Sequence, residues 1–361
     1  MTLYENELYI EDVARVAELP LPWERLQGGC LLISGASGMI GSFLTDVILH
    51  KNRQGLDCRV LALGRDPEKL KRRFTPCGES ESLIFLPYDI NRRLELDERS
   101  AEAIRQSSGL YILHLASNTH PVQYATDPIG TITTNITGLQ NMLSFAADSQ
   151  ADRVLFASSN EIYGENRGDT ELFDESYCGY IDCNSLRAGY PESKRCGEAL
   201  CQAYIRAMDM DIVIPRLTRS YGPTMLMTDT KAISQFIKDS IAGQDIVLKS
   251  EGHQLYSYTY VADAVSGLLT VLLIGEKGQA YNIADPASDI TLRDLASLIA
   301  KQCGHKVTFK LPDETEKAGF SKATKALLCG DKLKALGWKP GYDIETGIAR
   351  TIRILRDISE K

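Results

Sequence analysis

"CLLISGASGMIGS", residues 30–42, decides the fold. Its first five residues form an unbroken apolar run, which reads as a strand buried on both faces, and Gly35, Gly38 and Gly41 then punctuate the passage into a helix. Glycines at this spacing permit a tight turn and close backbone approach. The helix N-terminus that follows presents unpaired N–H groups suited to a pyrophosphate. Strand, glycine turn and helix together predict a dinucleotide site, with Ser37, Met39 and Ile40 completing the loop.

Outward from this unit, similar apolar runs recur at 58–63 ("CRVLAL"), 83–90 ("LIFLPYDI"), 110–117 ("LYILHLAS"), 153–159 ("RVLFASS") and 211–217 ("DIVIPRL"), separated by stretches of helical periodicity. Apolar strands alternating with helices predict an α/β protein: a Rossmann-like, doubly wound parallel sheet covered on both faces. From about residue 218 the spacing changes. A polar loop "TRSYGPTMLMTDT" precedes a helix "KAISQFIKDSIAG", short strands near 246–249 and 280–283, and amphipathic helices at 261–274, 291–302 and 344–357. The division expected is an N-terminal extension at 1–27, a cofactor-binding domain at 28–217 and a smaller C-terminal substrate-binding lobe at 218–361, some of whose segments return to the first domain.

Composition narrows the function. The chain has 361 residues and a formal net charge of −8, and its one basic cluster, "KLKRRF" at 69–74, reads as a solvated helix face. Nucleic acid is therefore not expected as a partner, since phosphate-backbone affinity needs clustered Lys and Arg. No apolar run approaches the roughly 20 residues of a membrane span, and the opening "MTLYENELYIEDVARV" lacks a signal-peptide pattern, so no membrane partner and a cytoplasmic location are expected. The nine cysteines, without a CxxC pair, read as reduced, and neither they nor the five histidines predict a metal site.

Two further segments bear on chemistry. The second strand ends in Gly64 and Arg65, where an acid normally holds the adenine ribose; Arg65 favours a 2′-phosphate and hence NADP, while Asp66 is left to support NAD. After the third strand, Asp89 and Ile90 are placed to meet the adenine ring. Downstream, "AGYPESKR" puts Tyr190 and Lys194 on one face of a helix spanning 190–208. A phenol with a pKa of about 10 is too weak a base at neutral pH, and a neighbouring ammonium and an oxidised nicotinamide would both favour its phenolate.

These residues, with "HLAS" at 114–117, "TNITGLQNML" at 134–143, "SSNEIYG" at 158–164 and "RLTRSYGP" at 216–223, resemble the extended short-chain dehydrogenase/reductase superfamily, in particular its epimerase/dehydratase group acting on nucleotide sugars. The resemblance runs from about residue 29 to 355. Within the group the chain looks most like the UDP-glucuronate decarboxylases that make UDP-xylose. It implies an NAD-dependent homodimeric enzyme that oxidises a sugar at C4 and regenerates its own cofactor, with Leu115, Ala116 and Ser117 at the cofactor and Ser117 also at the sugar. By the same resemblance Ser159 hydrogen-bonds the reacting hydroxyl, Tyr190 is the base, Lys194 holds ribose and phenolate, and Glu161 is a base or sugar ligand.

Three departures concern the substrate. At the two positions after the Ser, dTDP-glucose 4,6-dehydratases carry Asp and Glu; this chain carries Asn160 and Glu161, and an amide cannot act as general acid, which disfavours dehydration. Arg219 stands where relatives have a substrate-contacting Asn, and Tyr256 stands where they have an Arg. The expected substrate contacts are therefore Ser117, Asn160, Arg219 and Tyr256. Alternatives are an NADPH-dependent reductase of a small carbonyl compound, and a non-catalytic dinucleotide-binding regulator.

Overall fold

The computed structural model describes residues 1–78, 80–119, 121–310 and 324–359. The strands β1 (Cys30–Ser34), β2 (Arg59–Gly64), β3 (Leu83–Pro87), β4 (Leu110–His114), β5 (Arg153–Phe156), the two-residue β6 (Ser158–Ser159) and β7 (Ile212–Leu217) come in the order the apolar runs predict. Then β8 (Arg219–Tyr221), β9 (Ile246–Leu248) and β10 (Leu255–Tyr260) leave the main sheet, β11 (Ala280–Ile283) rejoins it, and β12 (Asp289–Thr291), β13 (Val307–Phe309) and β14 (Lys325–Ala326) follow. The main sheet runs β3-β2-β1-β4-β5-β7-β11, with β6 continuing beyond β5 along β7, and every pairing in it is parallel.

Why the strands are apolar throughout is visible in the core. Side chains alternate across a sheet, so Leu31 and Ile33 of β1 enter one apolar cluster with Val60, Leu113 and Val213, while Cys30 and Leu32 enter a second with Leu61, Ile112 and Phe156. The helices Met39–Asn52 and Val261–Ile274 cover the first face; Pro128–Asp148 and Gly189–Met208, packed on each other, cover the second. The strand order reverses between β1 and β4, and ligands of such sheets bind beyond the carboxyl ends of the strands at that point.

In the smaller lobe β10 pairs with β8, β12 and β14, and β9 with β13. The helices Ala232–Ile241 and Leu292–Cys303 pack together beside them.

The N-terminal segment, whose role the sequence did not reveal, is built into both parts. Its helix Glu7–Ala17 buries Tyr9, Val13, Val16 and Ala17 against the helix Met39–Asn52. Two buried acids anchor it: Asp12 accepts from Tyr260 (2.5 Å) and Tyr342 (2.6 Å) and pairs with Arg350 (2.9 Å), while Asp46 accepts from Tyr4 (2.8 Å) and Tyr9 and pairs with Arg73. That last pair corrects the reading of 69–74 as a solvated face. Leu70 and Phe74 are buried, and Arg73 turns inward because Asp46 needs a counter-charge.

Candidate active site

The glycine loop is shaped by contacts that a side chain would destroy. Gly35 has φ +75°, and a Cβ there would lie 2.9 Å from the Ala116 nitrogen. A Cβ on Gly41 would lie 2.5 Å from the Gly35 carbonyl oxygen and 2.9 Å from Ala36 Cα. The backbone therefore passes directly against the end of β4, where Leu115 N donates to Ser34 O (3.2 Å) and Ala116 N to Ser34 Oγ (3.2 Å). Gly38 caps the helix without any side-chain acceptor, so the first N–H groups remain for a ligand, and Ser37, Met39 and Ile40 stay partly exposed over them. This cradle fits a dinucleotide pyrophosphate.

Around it, Arg65 is exposed at the end of β2. Asp66 accepts from Glu68 N (3.0 Å) and Lys69 N (3.1 Å) through Oδ1, so one oxygen of its carboxylate is the N-cap of the helix Pro67–Phe74. Asp89 similarly accepts from Asn91 N (3.0 Å). Ile90 is buried against Gly138 of the helix Pro128–Asp148, so its side chain serves packing and little of it is left to touch an adenine.

Tyr190 lies in the first turn of the helix Gly189–Met208, 6% exposed. Burial pushes its phenol up to about 12; hydrogen bonding with Ser159 pulls it down, the Glu161 charge raises it, and Arg187 and Ser117 lower it. Ser159 ends β6 and accepts from Glu161 N (3.2 Å), opening the 3-10 turn Asn160–Tyr163. The crowded polar residues of "SSNEIYG" therefore come together because a short strand stops against the catalytic helix. Ser117 donates to Asn135 Oδ1 (2.7 Å), and Asn135 donates to Ser193 Oγ (2.8 Å), tying the β4 loop to that helix.

Lys194 is buried on the same helix. Its Nζ donates to the Ala157 carbonyl oxygen (2.8 Å) and stands 4.8 Å over the Phe156 ring, and burial pulls it down to about 8. Other charges that act on the phenol are Glu161, which raises its pKa, and Arg187, which lowers it. His114, the nearest imidazole in the sequence motif, is pushed down to about 3 by burial and bonds Ser34 Oγ through Nδ1 (2.9 Å), so it is neutral and structural.

Glu161 is ion-paired with Arg187 (2.9 Å) and lies 3.6 Å from Arg219. The Arg219 guanidinium sits 3.5 Å from the Tyr256 ring centroid. With its amide oriented to satisfy both neighbours, Asn160 accepts from Arg219 Nη1 (2.9 Å) and donates to Leu217 O (3.2 Å). An open cleft is bordered by Asn160, Glu161, Arg187 and Arg219. Sequence reasoning missed Arg187, although it stands three residues before Tyr190, and Tyr124, whose ring stacks on Tyr190 at 4.8 Å and has the Arg187 guanidinium 5.0 Å from its centroid. Both are polar or aromatic residues near recognised motifs, a signal too weak to act on alone. Among the described residues, no group of three or more His, Cys, Asp or Glu could hold a metal ion, and all nine cysteines are free.

A model of the NAD dependent epimerase/dehydratase family matches residues 31–284, the span that holds the glycine cradle, Ser159, Tyr190 and Lys194. The chain belongs to that family. Among its relatives, UDP-glucuronic acid decarboxylase 3 of Arabidopsis thaliana is 29% identical over 326 residues, which cover 88% of this chain and 86% of the relative. A dTDP-glucose 4,6-dehydratase double mutant from Streptomyces venezuelae, crystallised with NAD, is 25% identical with a TM-score of 0.76 over 91% of this chain and 97% of its own. UDP-glucuronic acid 4-epimerase from Bacillus cereus, crystallised with UDP-glucuronic acid and NAD, shares the fold at 20% identity, with a TM-score of 0.75 over 91% and 99% of the two chains. The family is one of NAD-dependent enzymes, and its doubly wound fold is the one found here.

Proposed function

We propose that this family member oxidises a nucleotide-bound hexuronic acid at C4 and returns the hydride, decarboxylating or epimerising the sugar between the two transfers. The observation that carries the reading is a buried phenol, Tyr190, whose pKa, raised by burial, is pulled down by Ser159 and Ser117 beside the glycine cradle. When bound, NAD supplies the hydride acceptor and donor, and a positive charge beside the phenol.

Gly35, Gly38, Gly41 and the loop at 115–117 would hold the dinucleotide. Tyr190 takes the proton of the sugar 4-hydroxyl, and Ser159 donates to the oxygen on which charge develops. Lys194 adds a buried positive charge one helical turn from the base, which favours the phenolate. Asn160 cannot protonate a leaving hydroxyl, which supports decarboxylation or epimerisation over dehydration. Relatives that decarboxylate UDP-glucuronic acid support the same choice. We propose the cofactor domain as 28–217 and the substrate lobe as the greater part of 218–361, with β11 and the helix Val261–Ile274 returning to the sheet. A homodimer is proposed as the working state, since Ile129 and Ile132, three residues apart on the helix Pro128–Asp148, are 76% and 37% exposed and a partner would cover them together; nine free cysteines favour a reducing compartment such as the cytoplasm.

A second reading, a reductase that consumes NADPH, is favoured by the exposed Arg65 together with the engagement of Asp66 in a helix cap. One set of assays separates them. UDP-glucuronate, UDP-glucose and dTDP-glucose are offered without added cofactor and products are identified by NMR; turnover of UDP-glucuronate is expected, and Tyr190→Phe should reduce it by two to four decades, roughly the worth of a general base. Steady NADPH consumption would favour the reductase, and a 4-keto-6-deoxy product would refute the argument from Asn160.

A further inference from the structure

Two guanidiniums converge on one carboxylate beside the base. Arg187 and Arg219, with side chains 14% and 18% exposed, share Glu161, whose side chain is 20% exposed, leaving a net positive charge largely removed from water. Buried charge is costly unless it is paired and its hydrogen-bonding groups are satisfied. Here they are not: Arg187 Nη1 is buried with no hydrogen-bond partner among the described residues, although it belongs to a residue that borders the open cleft. The Arg219 contact with Glu161, at 3.6 Å, is the looser of the two pairs. Two more acids border the cleft, Glu165 and Asp182, the latter accepting from Asn184 N (3.1 Å) in its own loop, but among the described residues only Glu161 is ion-paired with either guanidinium. The two guanidiniums themselves are therefore one paired carboxylate short.

Position decides which part of a substrate would supply it. Arg187 stands 5.0 Å from the centroid of the Tyr124 ring, which itself stacks on Tyr190 at 4.8 Å, and Arg187 holds Glu161, so the pair lies near the reacting hydroxyl and not at a remote part of the ligand. In a nucleotide sugar the diphosphate hangs from C1, across the ring from C4. The anionic group that can sit next to an oxidised C4 is a carboxylate on C5.

Resting on the nucleotide-sugar function proposed above, we propose that Arg187 and Arg219 are the receptor for the substrate's C5 carboxylate, and that Glu161 fills this receptor as an internal counter-ion until the substrate arrives. The incoming carboxylate takes Arg219 and the unpartnered Nη1 of Arg187. Glu161 keeps its 2.9 Å bond to Arg187 Nη2 and gives up Arg219. Tyr256 fixes the guanidinium plane by stacking under it, so Arg219 presents its edge without reorganising. Specificity for a uronate over the neutral hexose thus resides in Arg219, a residue that sits on β8 opposite Tyr258 of β10.

Calorimetric titration of the NAD-loaded protein with UDP, UDP-glucose and UDP-glucuronate tests this. The wild type should bind UDP-glucuronate at least about tenfold more tightly than UDP-glucose, the worth of one charge-assisted bidentate contact. Arg219→Gln should erase that preference while leaving the affinities for UDP and UDP-glucose within about threefold, and Arg219→Lys, which keeps the charge but not the fork, should restore part of it. Glu161→Gln removes the competing carboxylate and should tighten UDP-glucuronate binding even as turnover slows. If Arg219→Gln weakens UDP as much as UDP-glucuronate, the guanidinium grips the diphosphate and the inference is wrong. Weaker uronate binding by Glu161→Gln would equally overturn it, because Glu161 would then be a direct sugar ligand. UDP and UDP-glucose binding with no advantage for the uronate removes this inference alone, whereas failure of UDP itself to bind removes the nucleotide-sugar function as well.

Discussion

Lys194 is held where a lysine is least comfortable. It is 3% exposed, its one hydrogen-bond acceptor among the described residues is the Ala157 carbonyl oxygen, and burial pulls its pKa from 10.5 to about 8. The unfolded chain retains that proton up to about 10.5, so between pH 8 and 10.5 unfolding takes up a proton and stability rises with pH; below pH 8 the full cost of the buried cation is present. A shift of this size corresponds to about 3 kcal/mol. Lys194→Met, which loses the charge and one hydrogen bond worth about 1 kcal/mol, should therefore abolish turnover yet unfold at higher denaturant concentration at pH 7, with the gain gone above pH 10.5. A variant less stable than wild type at pH 7 would show that the ammonium supports the fold. Tyr190 and Lys194 were legible in the sequence because a spacing of four on a helix fixes their relation locally. Arg187 meets Glu161 across 26 residues and Arg219 meets it across 58, by way of a loop and a sheet pairing that no local pattern encodes.

At the scale of elements, the passage from β1 into the helix Met39–Asn52 is the most constrained part of the chain. The Cβ of an alanine at Gly41 would meet backbone atoms at 2.5 and 2.9 Å, and backbone cannot swing aside as a side chain can. Gly41→Ala should cost about 1–3 kcal/mol, the range for overpacking a tight contact, and should weaken NAD binding by displacing the loop from the end of β4. Gly38→Ala, whose Cβ would meet only the Gly35 oxygen at 3.1 Å, should cost less stability. Equal destabilisation by the two substitutions, in parallel melting experiments, would discount the packing argument. This unit was readable because its pattern is dense: apolar residues buried on both faces, then glycines where the backbone closes up. The strands β8, β12 and β14 were not, being two or three residues long and made only through pairing with β10. The run at 280–283 was visible as a strand, but its place beside β7 at the edge of the main sheet depends on the whole course of the intervening lobe.

For the molecule as a whole, the N-terminal segment is a fastening. Asp12 joins it to β10 and to the C-terminal helix Ile344–Ser359, while Asp46 joins it to the helix behind the glycine loop and to Arg73, at the end of the helix that follows β2. Breaking the second fastening tests how much it holds. Asp46→Ala leaves the Arg73 guanidinium and the hydroxyls of Tyr4 and Tyr9 without their acceptor, and removal of one partner from a buried pair costs about 3–5 kcal/mol. Replacing both partners with apolar residues, Asp46→Leu with Arg73→Met, removes the orphaned charge and should recover most of that loss. Urea unfolding of the two variants and wild type, followed by fluorescence, gives the comparison. Because the contacts made by Asp46 are all with the N-terminal segment and the cofactor side of the sheet, and none with Ser159 or Glu161, the single variant should lose stability while its affinity for UDP-sugars stays within about threefold, a change below 1 kcal/mol. A loss below about 1 kcal/mol, the level of an exposed pair, would mean that the tyrosines and Arg73 find water instead, and that the segment is held by the apolar packing of Tyr9, Val13 and Val16 alone.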